Sequence, residues 1–164
     1  MRALVIGRFQ PLQKGHLLML ERAASDAEHL VIGIGSSNRK ETKDNPFSAQ
    51  EREMMIAESL KIPVTYEFVR IPDFKDNGQW IRWIRDNIRF DVFKTNSPRE
   101  REIFEKEGIK VEELPFYNRP EYWATEVRRR IIGGGDWRSL LPDGTMKVLE
   151  EMGGIERIRR LNGN

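Results

Sequence analysis

Between positions 8 and 16 the chain carries Arg8, Gln10, Gln13, Lys14 and His16, and no acidic residue. All five side chains can donate hydrogen bonds, and arginine and lysine add positive charge. A short loop rich in donors and free of carboxylates suits an anion, and phosphate has the oxygens to use them. The flanking sequence supports that chemistry. Ala3 to Ile6 is an apolar run that reads as a buried strand, and Gly7, Pro11 and Gly15 punctuate the loop. Leu17, Leu18, Leu20, Ala23 and Ala24 then recur at helical spacing. His16 falls at or near the first turn of that helix, where unpaired backbone N–H groups and the helix dipole favour an anion. Strand, glycine-bracketed loop and helix start together make a phosphate site.

The remaining elements must surround that phosphate. His29 to Gly35 reads as a second buried strand, ending in the small residues Gly35-Ser36-Ser37. Small residues at a strand's C-terminal end leave room for a ligand in an open α/β sheet. A polar loop, Asn38 to Asn45, follows. Ser48, three residues before Glu51, forms a capping-box pattern for a helix that runs to about Leu60 and buries Met54, Met55 and Leu60 or their near neighbours. Val64 to Ile71 predicts a third strand. Gly78 to Phe90 predicts an amphipathic helix with Trp80, Ile81, Ile84 and Ile88 on one side. Asp91 to Thr95 is a fourth strand, Ser97-Pro98 starts a charged helix to about Glu107, and Ile109 to Leu114 is a fifth strand. Thr125 opens another helix, and helices over about Asp143 to Met152 and Ile155 to Leu161 close the chain. Strands alternating with helices predict an α/β fold of Rossmann-like form. It is an open, parallel, five-stranded sheet with helices on both faces, and its natural strand order is 3-2-1-4-5. The switch point then lies between strands 1 and 4, beside the first loop.

Composition narrows the classes. At 164 residues the chain is expected to form a single domain over 1–164 with a real core. Lys and Arg number 28 against 26 Asp and Glu, a balance that argues against coating nucleic acid by bulk charge. The arginine groups Arg128-Arg129-Arg130 and Arg157 with Arg159-Arg160 keep that reading open as an alternative. Cysteine is absent, which excludes disulfides and thiolate metal sites. No signal-peptide pattern and no membrane-length apolar run stands out, so a cytoplasmic, membrane-free protein is the expectation.

The loop lacks the G-x-G-x-x-G spacing of dinucleotide sites and the G-K-[ST] of nucleoside triphosphatases. Instead GRFQPLQKGH (7–16) resembles the first signature of the nucleotidyltransferases whose loop ends in His-x-Gly-His. The second signature of that superfamily, Ser/Thr-x-x-Arg at a late helix start, matches Thr125 to Arg128. NPFSAQER (45–52), NGQW (77–80), NRPEYWATEVRRR (118–130), DWRSLLP (136–142) and GIERIRRL (154–161) are similar to the archaeal type of nicotinamide mononucleotide adenylyltransferase, so the resemblance spans essentially the whole chain.

That resemblance implies an enzyme transferring AMP from ATP to nicotinamide mononucleotide, giving NAD and pyrophosphate with Mg²⁺ present. The implied step is in-line attack on the α-phosphate, with no covalent enzyme intermediate. It also implies roles. His16 donates to the α-phosphate; Arg8, with the backbone of Gly7, Phe9 and Gln10 and with Gly15, faces phosphate. Thr125 and Arg128 hold the β- and γ-phosphates. Trp80 stacks on the nicotinamide, Asn77 neighbours its carboxamide, and Ser36, Asp73 and Arg119 are further mononucleotide-binding candidates. No direct protein ligand for a metal is expected. His29, at a strand start, reads as structural. Family members are homo-oligomers, often hexamers.

The chain departs from the pattern at Gln13, which stands where the first histidine belongs and is carried here as a catalytic candidate. Glutamine donates a hydrogen bond but no charge, and losing one charged donor costs on the order of 10²-fold in rate. Trp123-Ala124 replaces a small Ser-Gly pair, which narrows the nucleotide pocket, and Ser37-Asn38-Arg39 also differs. Two further readings stay open: a sister transferase for a flavin or pantetheine phosphate, and a non-catalytic nucleotide-binding protein.

Overall fold

A computed structural model of the chain describes residues 1–117 and 123–163. Five strands form one parallel sheet: β1 (Arg2–Gly7), β2 (His29–Ile34), β3 (Thr65–Arg70), β4 (Val92–Thr95) and β5 (Val111–Glu113). Their order is β3-β2-β1-β4-β5, as the alternation of strands and helices predicts. The connecting helices are α1 (Lys14–Ala24), α2 (Ala49–Ser59), α3 (Asn77–Asn87) and α4 (Pro98–Lys106). After β5 come α5 (Ala124–Gly133), a 3₁₀ turn at Arg138–Leu140, α6 (Asp143–Met152) and α7 (Gly154–Leu161).

Period-two alternation sends the strands' side chains to two separate cores. Ala3, Val5, Leu30, Ile32 and Val92 face one layer with Leu20, Ile56, Val127 and Ile131 from α1, α2 and α5, which Val148 and Ile158 of α6 and α7 join. Leu4, Val31 and Phe93 face the other, against Ile81 and Ile84 of α3 and Phe104 of α4. Phe93 and Phe104 stack there, ring centroids 3.7 Å apart. No helix among the described residues is long and apolar enough to cross a membrane.

Two inward-facing cations depart from the hydrophobic pattern. On α2 the buried face is Ala49, Arg52, Met55 and Ile56, whereas Met54 is exposed, contrary to the expectation that it is buried. The helix spends an inward position on Arg52, which turns Met54 outward two residues later. Lys94, in the middle of β4, is only 1% exposed; its ammonium donates to Ala23 O (3.2 Å), and pairs with Asp26 and with Glu112 (3.3 Å). It ties the end of α1 and β5 to β4. His29 bonds Thr65 Oγ1 at 2.7 Å at the N-terminal end of the strands, far from the loop at the other end.

Candidate active site

β1 ends at Gly7, beside the point where the strand order switches between β1 and β4. Gly35 N–H donates to Gly7 O at 2.8 Å, so the loops after β1 and β2 leave the sheet side by side. Phe9 takes a left-handed backbone conformation (φ 53°) and folds its ring back beneath Gly7. A Cβ at Gly7 would sit 2.7 Å from that ring, so only glycine fits. The buried Gln10 side chain is spent on structure. Its amide donates to Phe47 O (3.0 Å) and accepts from Phe47 N–H (2.9 Å), which anchors the loop to the approach of α2.

Gln13 and His16 form a reciprocal cap on α1. Gln13, 2% exposed, accepts from Gly15 N–H at 2.5 Å, and Gln13 N–H donates to His16 Nδ1 at 3.2 Å. A backbone N–H can only donate, so Nδ1 must be unprotonated and Nε2 carries the hydrogen. Burial lowers the His16 pKa to about 4. His16 therefore enters the site as a neutral N–H donor with a fixed tautomer, its ring edge-on to Phe9 at 5.1 Å.

Arginines from three elements converge on the same loop. Arg128, in the first turns of α5 and almost fully buried, donates to Gln10 O at 2.8 Å. Burial and the positive charge of Arg8 both lower its pKa, with Asp44 partly opposing them. Arg52 is fully buried and donates to four backbone carbonyls: Ser48 (3.1 Å), Arg8 (2.9 Å), Gly35 (2.6 Å) and Ser36 (3.1 Å). One guanidinium thus ties the loops after β1 and β2 to the start of α2. Burial, first of all, lowers its pKa to about 10, and Arg8 contributes again. The positive charge of Arg8 acts on both buried arginines, and cations held this close favour an anion among them. Thr125 is exposed in the first turn of α5, and Trp123 before it offers no side-chain cap to those N–H groups.

Two cavities flank Gly7. The first is lined by Gly7, Gln13, Gly15, His16, Asn96 and Trp123, with others from β1 and β4. The second, of about 490 Å³, holds Arg8, Ser36, Asp73, Asn77 and Trp80, within the range typical of small-molecule sites. They share Ile6, Gly7 and Glu100. The sequence candidates therefore divide: Gly7, Gly15, His16 and Gln13 line the first cavity, and Ser36, Asp73, Asn77 and Trp80 come together in the second. Asp73 accepts from Ser36 Oγ (2.7 Å) and pairs with Arg39 (2.9 Å). Arg119 lies outside the described residues. Among the described residues no cluster of three His, Asp or Glu could hold a metal ion.

A model of the cytidylyltransferase-like family matches residues 4–130. The nicotinamide-nucleotide adenylyltransferase of Methanococcus aeolicus is 40% identical over 164 residues, covering 99% of this chain and 95% of that protein. The chain belongs to the cytidylyltransferase-like family, in its archaeal nicotinamide-nucleotide adenylyltransferase branch. The Halorubrum lacusprofundi protein of that name is 39% identical, covering 98% of this chain and 93% of its own length. A crystal structure of a bifunctional NMN adenylyltransferase/ADP ribose pyrophosphatase from Francisella tularensis, complexed with AMP and a manganese ion, superposes with a TM-score of 0.78. At 20% identity it bears on the fold alone, and this chain spans 52% of it.

Arg52, Glu100, Thr95 and Lys94 escaped the sequence reading. Arg52 had a signal: it stands three and four residues before Met55 and Ile56 on what becomes the inward face of α2. Glu100, three residues after Ser97, reads as an ordinary first-turn acid, and nothing local marks it as a cavity wall.

Proposed function

We infer that this protein joins the AMP part of ATP to nicotinamide mononucleotide, releasing pyrophosphate and giving NAD. The observation that carries this reading is the pair of cavities that meet at Gly7, in a chain nearly coextensive with curated nicotinamide-nucleotide adenylyltransferases. One cavity takes the ATP side and the other the mononucleotide. Their shared wall is where two phosphates can face each other in line.

The phosphate oxygen of the mononucleotide attacks the α-phosphorus of ATP. A new P–O bond forms, the bond from the α-phosphorus to the bridging oxygen breaks, and pyrophosphate leaves with the electron pair. No proton transfer is needed, so the protein's task is to align anions and hold charge. His16 Nε2–H donates to the α-phosphate. Arg8 lies against both phosphates, and Thr125 with the α5 N-terminus and Arg128 holds the β- and γ-phosphates. Trp80 offers its ring to the nicotinamide. A divalent cation, Mg²⁺ in this reading, arrives as part of the ATP substrate. The alternative of nucleic-acid binding is weakened because four of its six arginines pair with carboxylates: Arg129 and Arg130 with Glu126, Arg157 with Glu51, and Arg160 with Glu41. A single nucleotidyltransferase domain, a homo-oligomer up to a hexamer and a cytoplasmic location complete the reading.

The test is NAD formation from ATP, Mg²⁺ and nicotinamide mononucleotide by the native protein and two variants. His16→Ala is expected to lower kcat by about 10²-fold or more, the usual cost of one donor to a developing oxyanion. Gln13→His is expected to raise it. If the native protein forms no NAD while still binding it, the role is nucleotide binding without catalysis.

A further inference from the structure

Among the described residues, Glu100 is the one carboxylate that lines both cavities. It stands one turn before Phe104 on α4, so both side chains share a face. Phe104 packs edge-on against Trp80 at 5.4 Å, and Glu100 and Trp80 both line the second cavity. Its hydrogen bonding is directional. Thr95 Oγ1 accepts from Ser97 N–H at 3.0 Å and gives its own hydrogen to Glu100 Oε2 at 2.8 Å. No hydrogen bond from a described residue reaches Oε1. No lysine or arginine forms a salt bridge with Glu100 among the described residues, although Arg99 acts on it from the neighbouring position.

Asn77 supplies the complementary half. Its Oδ1 accepts from Arg99 Nη2 at 3.1 Å, so its NH₂ group is what it can offer to the cavity. A planar ring stacked on Trp80 thus meets a donor from α3 and an acceptor from α4. A carboxamide, with one carbonyl and one NH₂, satisfies both. A carboxylate in its place satisfies the donor but sets two negative charges together in a half-buried site, which raises the energy of both.

We propose that Glu100 selects the carboxamide form of the mononucleotide over its deamidated, carboxylate form. This rests on Trp80 being the platform for the pyridine ring. Burial raises the Glu100 pKa, consistent with a group that a second carboxylate would penalise further.

The test compares kcat/KM for nicotinamide mononucleotide and nicotinic acid mononucleotide in the native protein, Glu100→Gln and a surface control, Glu102→Gln. Glutamine keeps the shape of the side chain and its acceptor for Thr95 but removes the charge. The native protein is expected to prefer the amide, and Glu100→Gln to shift the ratio towards the acid by about tenfold or more. Glu102→Gln should leave the ratio unchanged. A native preference for the acid, or a ratio unmoved in Glu100→Gln, overturns the proposal. The same ratio measured from mononucleotide binding by calorimetry decides the matter independently of turnover. Absence of dinucleotide from either substrate would count against the transferase reading alone.

Discussion

His16 is set in one tautomer before any substrate arrives, and that has a measurable signature. Its Nδ1 accepts from Gln13 N–H, so a second proton can enter only by breaking that bond. With its pKa lowered to about 4 by burial, the ring is neutral across the physiological range. His16 should therefore add no inflection near 6.5 to the pH profile of kcat/KM beyond that of the mononucleotide phosphate, whose second pKa is about 6, and its own effect should come only as pH drops towards about 4. Stability follows the same group. A depressed folded-state pKa means the unfolded chain binds the proton first, so stability is lost as pH falls from about 6.5 towards 4, by at most about 3 kcal/mol. Thermal melts of the native protein and His16→Ala between pH 4 and 7 would isolate that loss. A shared pH dependence would show that His16 is not its source.

At the scale of elements, Arg52 decides how α2 and the two strand-end loops sit against each other. Lysine at that position keeps the charge but cannot reach four carbonyls with one ammonium. Arg52→Lys should lose about 3 kcal/mol, seen as a fall in Tm of roughly 6–12 °C. It should also lower kcat/KM for both substrates, because Arg8 and Ser36 belong to the walls that it fixes. A melt within a degree or two of native would remove the guanidinium from this role. The sequence made the elements legible because each repeats a strong local signal: Val5 and Ile32 in short apolar runs, and Ser48 three residues before Glu51. The ends are less legible, since tertiary contacts trim them. The strand expected over Ile109 to Leu114 is regular only over Val111–Glu113, and the helix expected to reach Phe90 stops at Asn87. Of the site, the signature loop was readable because its donors are contiguous. Glu100 was not, because its meaning comes from a cavity wall that only the folded chain assembles, and Arg52 showed only as a cation on the inward face of α2, without the loop carbonyls it would meet.

Across the whole molecule, Arg8, Arg52 and Arg128 come from three distant segments, and their mutual repulsion is a standing cost of the empty protein. Removing one cation should then act in opposite directions on the free and bound states. Arg8→Ala is expected to leave the Tm of the free protein unchanged or higher, while lowering the rise in Tm that ATP produces. That rise corresponds to about 2.7 kcal/mol at a hundredfold excess over Kd. An equal loss in both states would mean that Arg8 is a packing residue rather than an anion contact. Lys94 offers a different kind of access to the same fold. Amine-reactive reagents modify a lysine only when its nitrogen meets solvent, and this nitrogen is enclosed by Ala23, Asp26 and Glu112, between the end of α1 and β5. In a brief labelling pulse it should stay unmodified while exposed lysines such as Lys61 and Lys106 react, and its slow acylation would clock the opening of β4 from α1.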